Sequence, residues 1–369
     1  MRRCRAYGPA CVGNVAAGFD VLGAALARAG GELWGDLVEV RADLPARAEA
    51  AEVPARLDSA ELPARPETPA PQESAGSVWP TPRSPAAPSL AAPEVRLACS
   101  GPFAHQLPAD PAENLAVKAC AAVARRLGRP LPPLALRLYK GLPVGSGLGS
   151  SSATVVAVVR ALDALLGRPL DEAGLLAAAG EAEAHASGGL HLDNVAAALL
   201  GGLRLVDPGG RARRLPFPDE LRFVLAVPEL TLTTRVARAA LPSVVPLALA
   251  VAHAQNLAAL VHALHAGDRE LLHASLRDLL AEPWRAELVP GFRAVQAAGL
   301  AAGAWGCSLS GAGPAVFAVA EDGAAPAVGE AMRRAWAGAA VAARVEVCVL
   351  DGQGARLVDD AADPEGVCG

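Results

Sequence analysis

Residues 143–152 read PVGSGLGSSS: three glycines alternate with small residues, three serines close the run, and the apolar stretch ATVVAVVRAL follows. Glycine lets backbone N–H groups converge with no Cβ in the way, and the first turn of a helix offers unpaired N–H donors at the positive end of its dipole. The chemistry of such a loop is anion binding. Serine hydroxyls add donors for phosphate oxygens, or ligands for Mg2+, a hard ion that prefers oxygen. Two common phosphate-loop patterns do not fit. No lysine follows the last glycine, and Gly145, Gly147 and Gly149 are spaced G-x-G-x-G rather than G-x-G-x-x-G. A second glycine motif, SLSGAGP (308–314), comes about 160 residues later.

Both loops must be carried by a scaffold of mixed type. Strand-like runs are DLVEVRA, EVRLACS, LALRLYK (134–140), GLRLVD (202–207), RFVLAVP (222–228), AVFAVAE (315–321) and RVEVCVL (344–350). Helical runs are ENLAVKACAAVARRLG, SSATVVAVVRALDALLG, EAGLLAAAGEAEAHASG, PLALAVAHAQNLAALVHALHAG, DRELLHASLRDLLA and GAAPAVGEAMRRAWAG. They are interspersed without strict alternation, so the expected class is α+β rather than a doubly wound sheet. Residues 45–93, rich in Pro, Ala, Ser and Glu, carry no sustained period of 2 or 3.6 and read as a disordered insertion between two strands. The polar stretch DPGGRARRLPFPDE suggests a boundary near residue 220, giving domains 1–220 and 221–369.

Composition narrows the function classes. The 369 residues are 52% hydrophobic but only 4% aromatic, so cores are built from Ala, Val and Leu. A net charge of −5 with no basic block argues against a nucleic-acid surface. Seven scattered cysteines, with no C-x-x-C and no histidine at zinc spacing, read as reduced cytosolic thiols. MRRCRAYGPACVGN has no apolar segment of the secretory type, and the long apolar stretches are read as interrupted by charge or glycine, so no membrane span is expected. The expected location is cytoplasmic.

PVGSGLGSSSA (143–153) resembles the phosphate loop of the galactokinase, homoserine kinase, mevalonate kinase and phosphomevalonate kinase superfamily, and SLSGAGP resembles its C-terminal glycine motif. Within that superfamily the chain looks like the homoserine kinases. GNVAAGFDVLGAAL (13–26) is similar to their Asn-x-x-x-Gly-Phe-Asp-x-Leu-Gly block. HLDNVAAALLGG (191–202), TTRVARAALP (233–242) and AEPWRAELVPGF (281–292) match further blocks. The insertion aside, the likeness spans the chain; Cys11-Val12-Gly13 departs from the small hydroxyl residues and alanine usual there.

The resemblance implies a ribosomal-protein-S5-like N-terminal domain and a ferredoxin-like C-terminal domain, with ATP as co-substrate and Mg2+ as cofactor. It places ATP on Asn114 and on the loop from Pro143 and Val144 through Gly145, Ser146, Gly147, Leu148 and Gly149 to Ser150, Ser151 and Ser152. The metal falls to Ser151 and Glu181. The implied substrate is L-homoserine, phosphorylated on its hydroxyl in threonine biosynthesis. Asp20 would take the ammonium, Arg238 and Arg285 the carboxylate, and Asn14, His191, Asn194, Thr234 and Gly311 would complete the pocket. Asn14, Asn194 and Arg238 are the expected catalytic set, Asn194 orienting the hydroxyl rather than acting as a base. Direct in-line transfer needs no strong base, because in a loose transition state the nucleophile's proton can leave late. A homodimer is the expected assembly.

Read singly, these residues have plain structural explanations: Asp20 or Asn114 as a helix cap, Glu181 and both arginines as solvated helix residues, Asn14 as a turn former. A superfamily kinase acting on a mevalonate-like acid or a sugar is a second reading, and a non-catalytic ligand sensor on the same scaffold a third.

Overall fold

The structure is a computed structural model and describes residues 2–43 and 93–359. Nearly all of the 45–93 insertion and Cys368 lie outside the described residues.

The strands are β1 (Arg2–Gly13), β2 (Leu22–Arg28), β3 (Gly35–Ala42), β4 (Val95–Ser100), β5 (Leu134–Tyr139), β6 (Leu203–Val206), β7 (Ala212–Leu215), β8 (Leu221–Pro228), β9 (Gly306–Leu309), β10 (Val316–Glu321), β11 (Ala343–Leu350) and β12 (Arg356–Leu357). The helices are α1 (Leu115–Leu127), α2 (Ser150–Leu165), α3 (Glu172–Ser187), α4 (Asp193–Leu200), α5 (Thr234–Ala239), α6 (Leu247–Ala266), α7 (Arg269–Ser275), α8 (Glu282–Arg285), α9 (Phe292–Ala301) and α10 (Ala325–Gly338). The class is α+β.

The main sheet runs β4-β5-β3-β1-β2-β11-β8-β10-β9. At one end β4 and β5 are parallel, Val95 opposite Leu134, and α1 lies between them in the chain. The other half, β8-α9-β9-β10-α10-β11, has its strands in the spatial order fourth, first, third, second with every neighbour antiparallel, the ferredoxin-like arrangement. The two halves share one sheet, because β2 pairs with β11 in the register Arg28 opposite Cys348.

The polar stretch near residue 210 forms the turn and second strand of a hairpin. Leu203 pairs with Leu215, and the Asp207 carboxylate accepts the N–H groups of Gly209 and Arg211 at 2.9 and 3.0 Å, which closes the turn. The chain also returns to its first half after β11: β12 pairs with β1, and Ala355 is buried in the core beneath α2.

That core holds α1, α2, α3 and α4 on the sheet, and alanine is its commonest building block. Small side chains let α2 sink between the sheet and α3, so that thirteen of its sixteen residues are buried. A second cluster lies under α6 and α7, a third under α9 and α10.

The reading that every long apolar stretch is interrupted by charge or glycine does not hold. Residues 247–266 contain no Asp, Glu, Lys, Arg or Gly, and α6 is the one helix among the described residues long and apolar enough to cross a membrane by length and composition. Only Leu260, Ala263 and Leu264 of it are buried; Leu247 at its start is 79% exposed.

Candidate active site

The phosphate-type loop leaves β5 at Tyr139 and enters α2 at Ser150. Gly145, Gly147 and Gly149 all have positive φ, from 61° to 85°. All three also stand at close approach: a Cβ on Gly145 would lie 2.8 Å from Thr231 Cγ2, one on Gly147 2.6 Å from the Ser310 carbonyl oxygen, and one on Gly149 2.0 Å from Cys11 Sγ. The loop carbonyls are turned away from the cavity and held there. Gly145 O accepts from Leu232 N at 3.0 Å, Ser146 O from Ala315 N at 3.0 Å, Gly147 O from Ser310 Oγ at 2.5 Å and Leu148 O from Cys11 N at 3.0 Å. No side chain caps α2, so its first-turn N–H groups face the cavity without a protein acceptor on their cap.

Beneath the loop lies a buried ion pair that sequence reasoning missed. Lys140 Nζ donates to Asp36, to the Ser150 carbonyl at 2.8 Å and to Thr154 Oγ1 at 3.0 Å. Asp36 in turn accepts the N–H groups of Gly141 and Leu142, at 3.0 and 3.2 Å. Lys140 is 1% and Asp36 0% exposed, so the pair fixes the loop's departure from β5. The available signal was Lys140 itself, one of two lysines in the chain and placed just before the loop.

The serines divide their roles. Ser150 Oγ turns inward to the Leu142 carbonyl at 3.1 Å, while Ser151 Oγ donates to Glu183 Oε1 at 2.8 Å. Ser152 Oγ is buried with no partner among the described residues. Pro143 accepts from Ser146 Oγ at 2.8 Å, and Leu148 is buried in the second core cluster. Both shape the loop from outside the cavity lining, whereas Val144 lines it.

Glu181 is misplaced as a metal ligand. Its carboxylate pairs with Arg125 on α1, away from the cavity; the carboxylate that faces Ser151 is Glu183, two residues on. Two residues turn a helix by about 200°, which puts the pair on opposite faces. Glu183 lies on the buried stripe with Leu176 and Ala179, and that spacing was the signal that could have found it. Burial pushes the Glu183 carboxyl up to about 7; the Ser151 hydrogen bond opposes that and the neighbouring Asp193 adds to it. Glu183 Oε2 is buried with no hydrogen-bond partner.

A divalent cation fits this donor set. An orphaned buried carboxylate oxygen and a serine hydroxyl face the phosphate loop, and no group of three or more His, Cys, Asp or Glu among the described residues is placed to hold a metal alone. Mg2+ commonly takes one or two protein oxygens and completes its shell with phosphate and water.

Asn114 both caps α1, accepting Ala116 N at 2.9 Å, and lines the cavity. Across the cavity, of about 370 Å³, stand Asn14, Asp20, His191, Asn194, Thr234, Arg238, Arg285 and Gly311. Asn14 is a hub at φ 54°: its N–H donates to Asp193 Oδ2 at 3.2 Å, its Oδ1 accepts Asp20 N at 2.9 Å, and its Nδ2 donates to Gly311 O at 3.0 Å. Arg285, 2% exposed, donates to the same Gly311 carbonyl at 3.0 Å and to Ala237 O at 3.3 Å. Arg238 and Arg285 both stack over Phe19. Burial works against the Asp20 charge, but hydrogen bonds from His191 and Arg238 outweigh it and hold the carboxyl below the usual range. Asp193, buried and close to Asp20, is pushed up to about 6. Asn194 Oδ1 accepts from Cys11 Sγ at 3.2 Å, so Cys11 packs behind the loop and orients the amide.

The arrangement joins an anion cradle, a cation seat and a pocket of paired opposite charges. Residues 114–202 match the model of the GHMP kinases N terminal domain, and residues 260–338 that of the GHMP kinases C terminal. A solved homoserine kinase from Cytophaga hutchinsonii is 31% identical, covering 97% of this chain and 98% of its own, with a TM-score of 0.77. A putative homoserine kinase from Listeria monocytogenes is 21% identical over 97% of this chain and 100% of its own, TM-score 0.60. L. major mevalonate kinase, solved with R-mevalonate, is 16% identical over 95% and 96%, TM-score 0.60, a likeness of fold alone. On its sequence, its two-domain α+β architecture and its cavity, this chain belongs to the GHMP kinase family.

Proposed function

We propose that this small-molecule kinase transfers the γ-phosphoryl group of ATP to the side-chain hydroxyl of L-homoserine, giving O-phospho-L-homoserine, a precursor of threonine. The observation that carries the reading is the opposed charge in one pocket: the Asp20 carboxylate beside the guanidinium groups of Arg238 and Arg285. An amino acid presents both an ammonium and a carboxylate; a hydroxy acid or a sugar does not. The 31% identity with the Cytophaga enzyme supports the same substrate.

The loop N–H groups and the start of α2 would bind the triphosphate, with Asn114 at the adenine end. Glu183 and Ser151 would hold Mg2+, which when bound neutralises phosphate charge. Asn14 and Asn194 orient the hydroxyl, and Arg238 and Arg285 hold the carboxylate. Positioning and charge stabilisation supply most of the acceleration in a loose phosphoryl transfer, so a direct step without a strong base is sufficient.

The test is ADP release by the purified protein with Mg-ATP, against L-homoserine, L-threonine, L-serine, mevalonate and galactose. Turnover selective for homoserine supports the proposal. Turnover of mevalonate or galactose keeps the kinase and removes the amino-acid site, and ATP binding without turnover points to a sensor.

A further inference from the structure

At the far end of α2 from the phosphate loop lies a separate crevice of about 230 Å³. Its walls are Arg160, Asp163 and Ala164 of α2, Arg168 from the turn beyond, and Ala355, Arg356 and Leu357 around β12. Three guanidinium groups against one carboxylate leave the lining net cationic. Asp163 spends one oxygen on the backbone N–H of Leu170 at 3.0 Å. Arg356 is already answered by Asp351 at 2.8 Å and stacks over Tyr7.

The other two arginines are not answered. Arg160 donates only Nε, to the Ala355 carbonyl at 3.2 Å. Among the described residues, neither its terminal nitrogens nor the Arg168 guanidinium has an acceptor within hydrogen-bond distance. The ordinary explanation for arginines here is the negative end of a helix dipole. Yet the last carbonyls of α2 are already taken: Leu162, Asp163 and Ala164 accept from Leu166, Arg168 and Gly167. Burial, and then the nearby Arg168, pull the Arg160 guanidinium below its usual range, while Asp163 and Glu172 oppose them. Two like charges converge on one polar crevice in which Asp163 is the one lining carboxylate.

We propose that this crevice is a second anion site, which takes a small oxyanion of two or more negative charges, phosphate or a dicarboxylate, on Arg160 and Arg168. Two forked guanidinium groups match the paired oxygens of such an anion. Bound there, it would tie the end of α2 to the turn beyond it, beside the β12 wall of the crevice. The site is independent of the substrate proposed for the main cavity.

The experiment is calorimetric unfolding of the full chain with ADP saturating, so that the phosphate loop is filled, during titration with inorganic phosphate or malonate. Sodium chloride at matched ionic strength is the reference. A saturable rise in Tm is expected for the parent and for Arg285→Gln, which removes a guanidinium from the main cavity. Arg168→Gln, at an exposed turn residue, should raise the apparent Kd for the anion at least about tenfold, and the Arg160→Gln, Arg168→Gln double variant should abolish the rise. A response to phosphate alone or to malonate alone identifies which anion the site takes. The proposal is overturned if the parent responds no more than to chloride, or if Arg168→Gln, folded with unchanged ADP affinity, keeps the parent's response.

Discussion

Arg238 donates both terminal nitrogens to the two oxygens of Asp20, at 3.0 and 2.7 Å, a fork-on-fork pair inside the cavity, and His191 Nδ1 lies 3.5 Å from the same carboxylate. A zwitterion can open this pair and leave neither charge unanswered, its ammonium going to Asp20 and its carboxylate to Arg238 and Arg285. A simple carboxylate would strand Asp20. Asp20→Asn should therefore raise KM for homoserine about a hundredfold or more while narrowing its preference over mevalonate. Steady-state kinetics on both substrates checks it.

Exchanging the two nearby glutamates separates the cavity from the surface. Glu183→Gln should lower kcat with Mg-ATP at least about a hundredfold and weaken the Mg2+ dependence. Glu181→Gln, which loses only partly exposed pairs with Arg125 and Arg126, should stay within a few-fold of the parent. Mg2+ titration of both variants decides whether the cation sits on Glu183.

The same carboxyl has a pH signature. Its folded-state value of about 7 exceeds the usual 4.5, so the folded chain holds a proton that the unfolded chain has released. Its contribution is fully present below about pH 4.5 and is lost as pH rises through 7. Urea unfolding without Mg2+ should show Glu183→Gln gaining on the parent between pH 5 and 8, by on the order of 3 kcal/mol. Part of the slope should persist in the variant, because Asp193 is raised in the same direction.

Gly149 and Cys11 should be coupled. Gly149→Ala places a Cβ against Cys11 Sγ and asks alanine to hold a φ of 61°. We expect KM for ATP to rise more than about tenfold, and Cys11→Ala to recover part of the loss by making room. The left-handed backbone retains a cost of about 1 kcal/mol. A double-mutant cycle on ATP affinity measures the coupling.

Lys140→Met leaves Asp36 buried without its cation. A destabilisation of about 3–5 kcal/mol is expected in urea unfolding. Because Lys140 also holds the Ser150 carbonyl, the variant should bind ATP less tightly even where it remains folded.

Much of this was legible in the residues. The glycine spacing of 145–149 implied a loop at a helix mouth, and the blocks around Asp20, Arg238 and Arg285 meet in one cavity although more than 200 residues separate Asp20 from the arginines. What escaped was set by packing. β2 and α4 fell within stretches read as motifs, and β1 within the N-terminal segment weighed only as a secretory signal, so their local structure went unassigned. β7 was not assigned because its run ARRL is charged and follows a Gly-rich turn, with no apolar alternation to mark a strand. Asp36 gave no local signal: its partner Lys140 is 104 residues away and the pair exists only once β3 and β5 are side by side. Glu181 and Glu183 differ only in helical phase, which composition cannot see.

The carbonyls of the phosphate loop are tied down from residues 11, 232, 310 and 315, on both sides of the hairpin at 203–215. That collar makes the two halves poor candidates for exchange between relatives. A chimera joined near residue 220 would inherit every helix and strand, yet its loop would be gripped by foreign residues on one side. Recombination within such a chain should succeed where Leu232 and the 308–315 segment travel together with the glycines they hold.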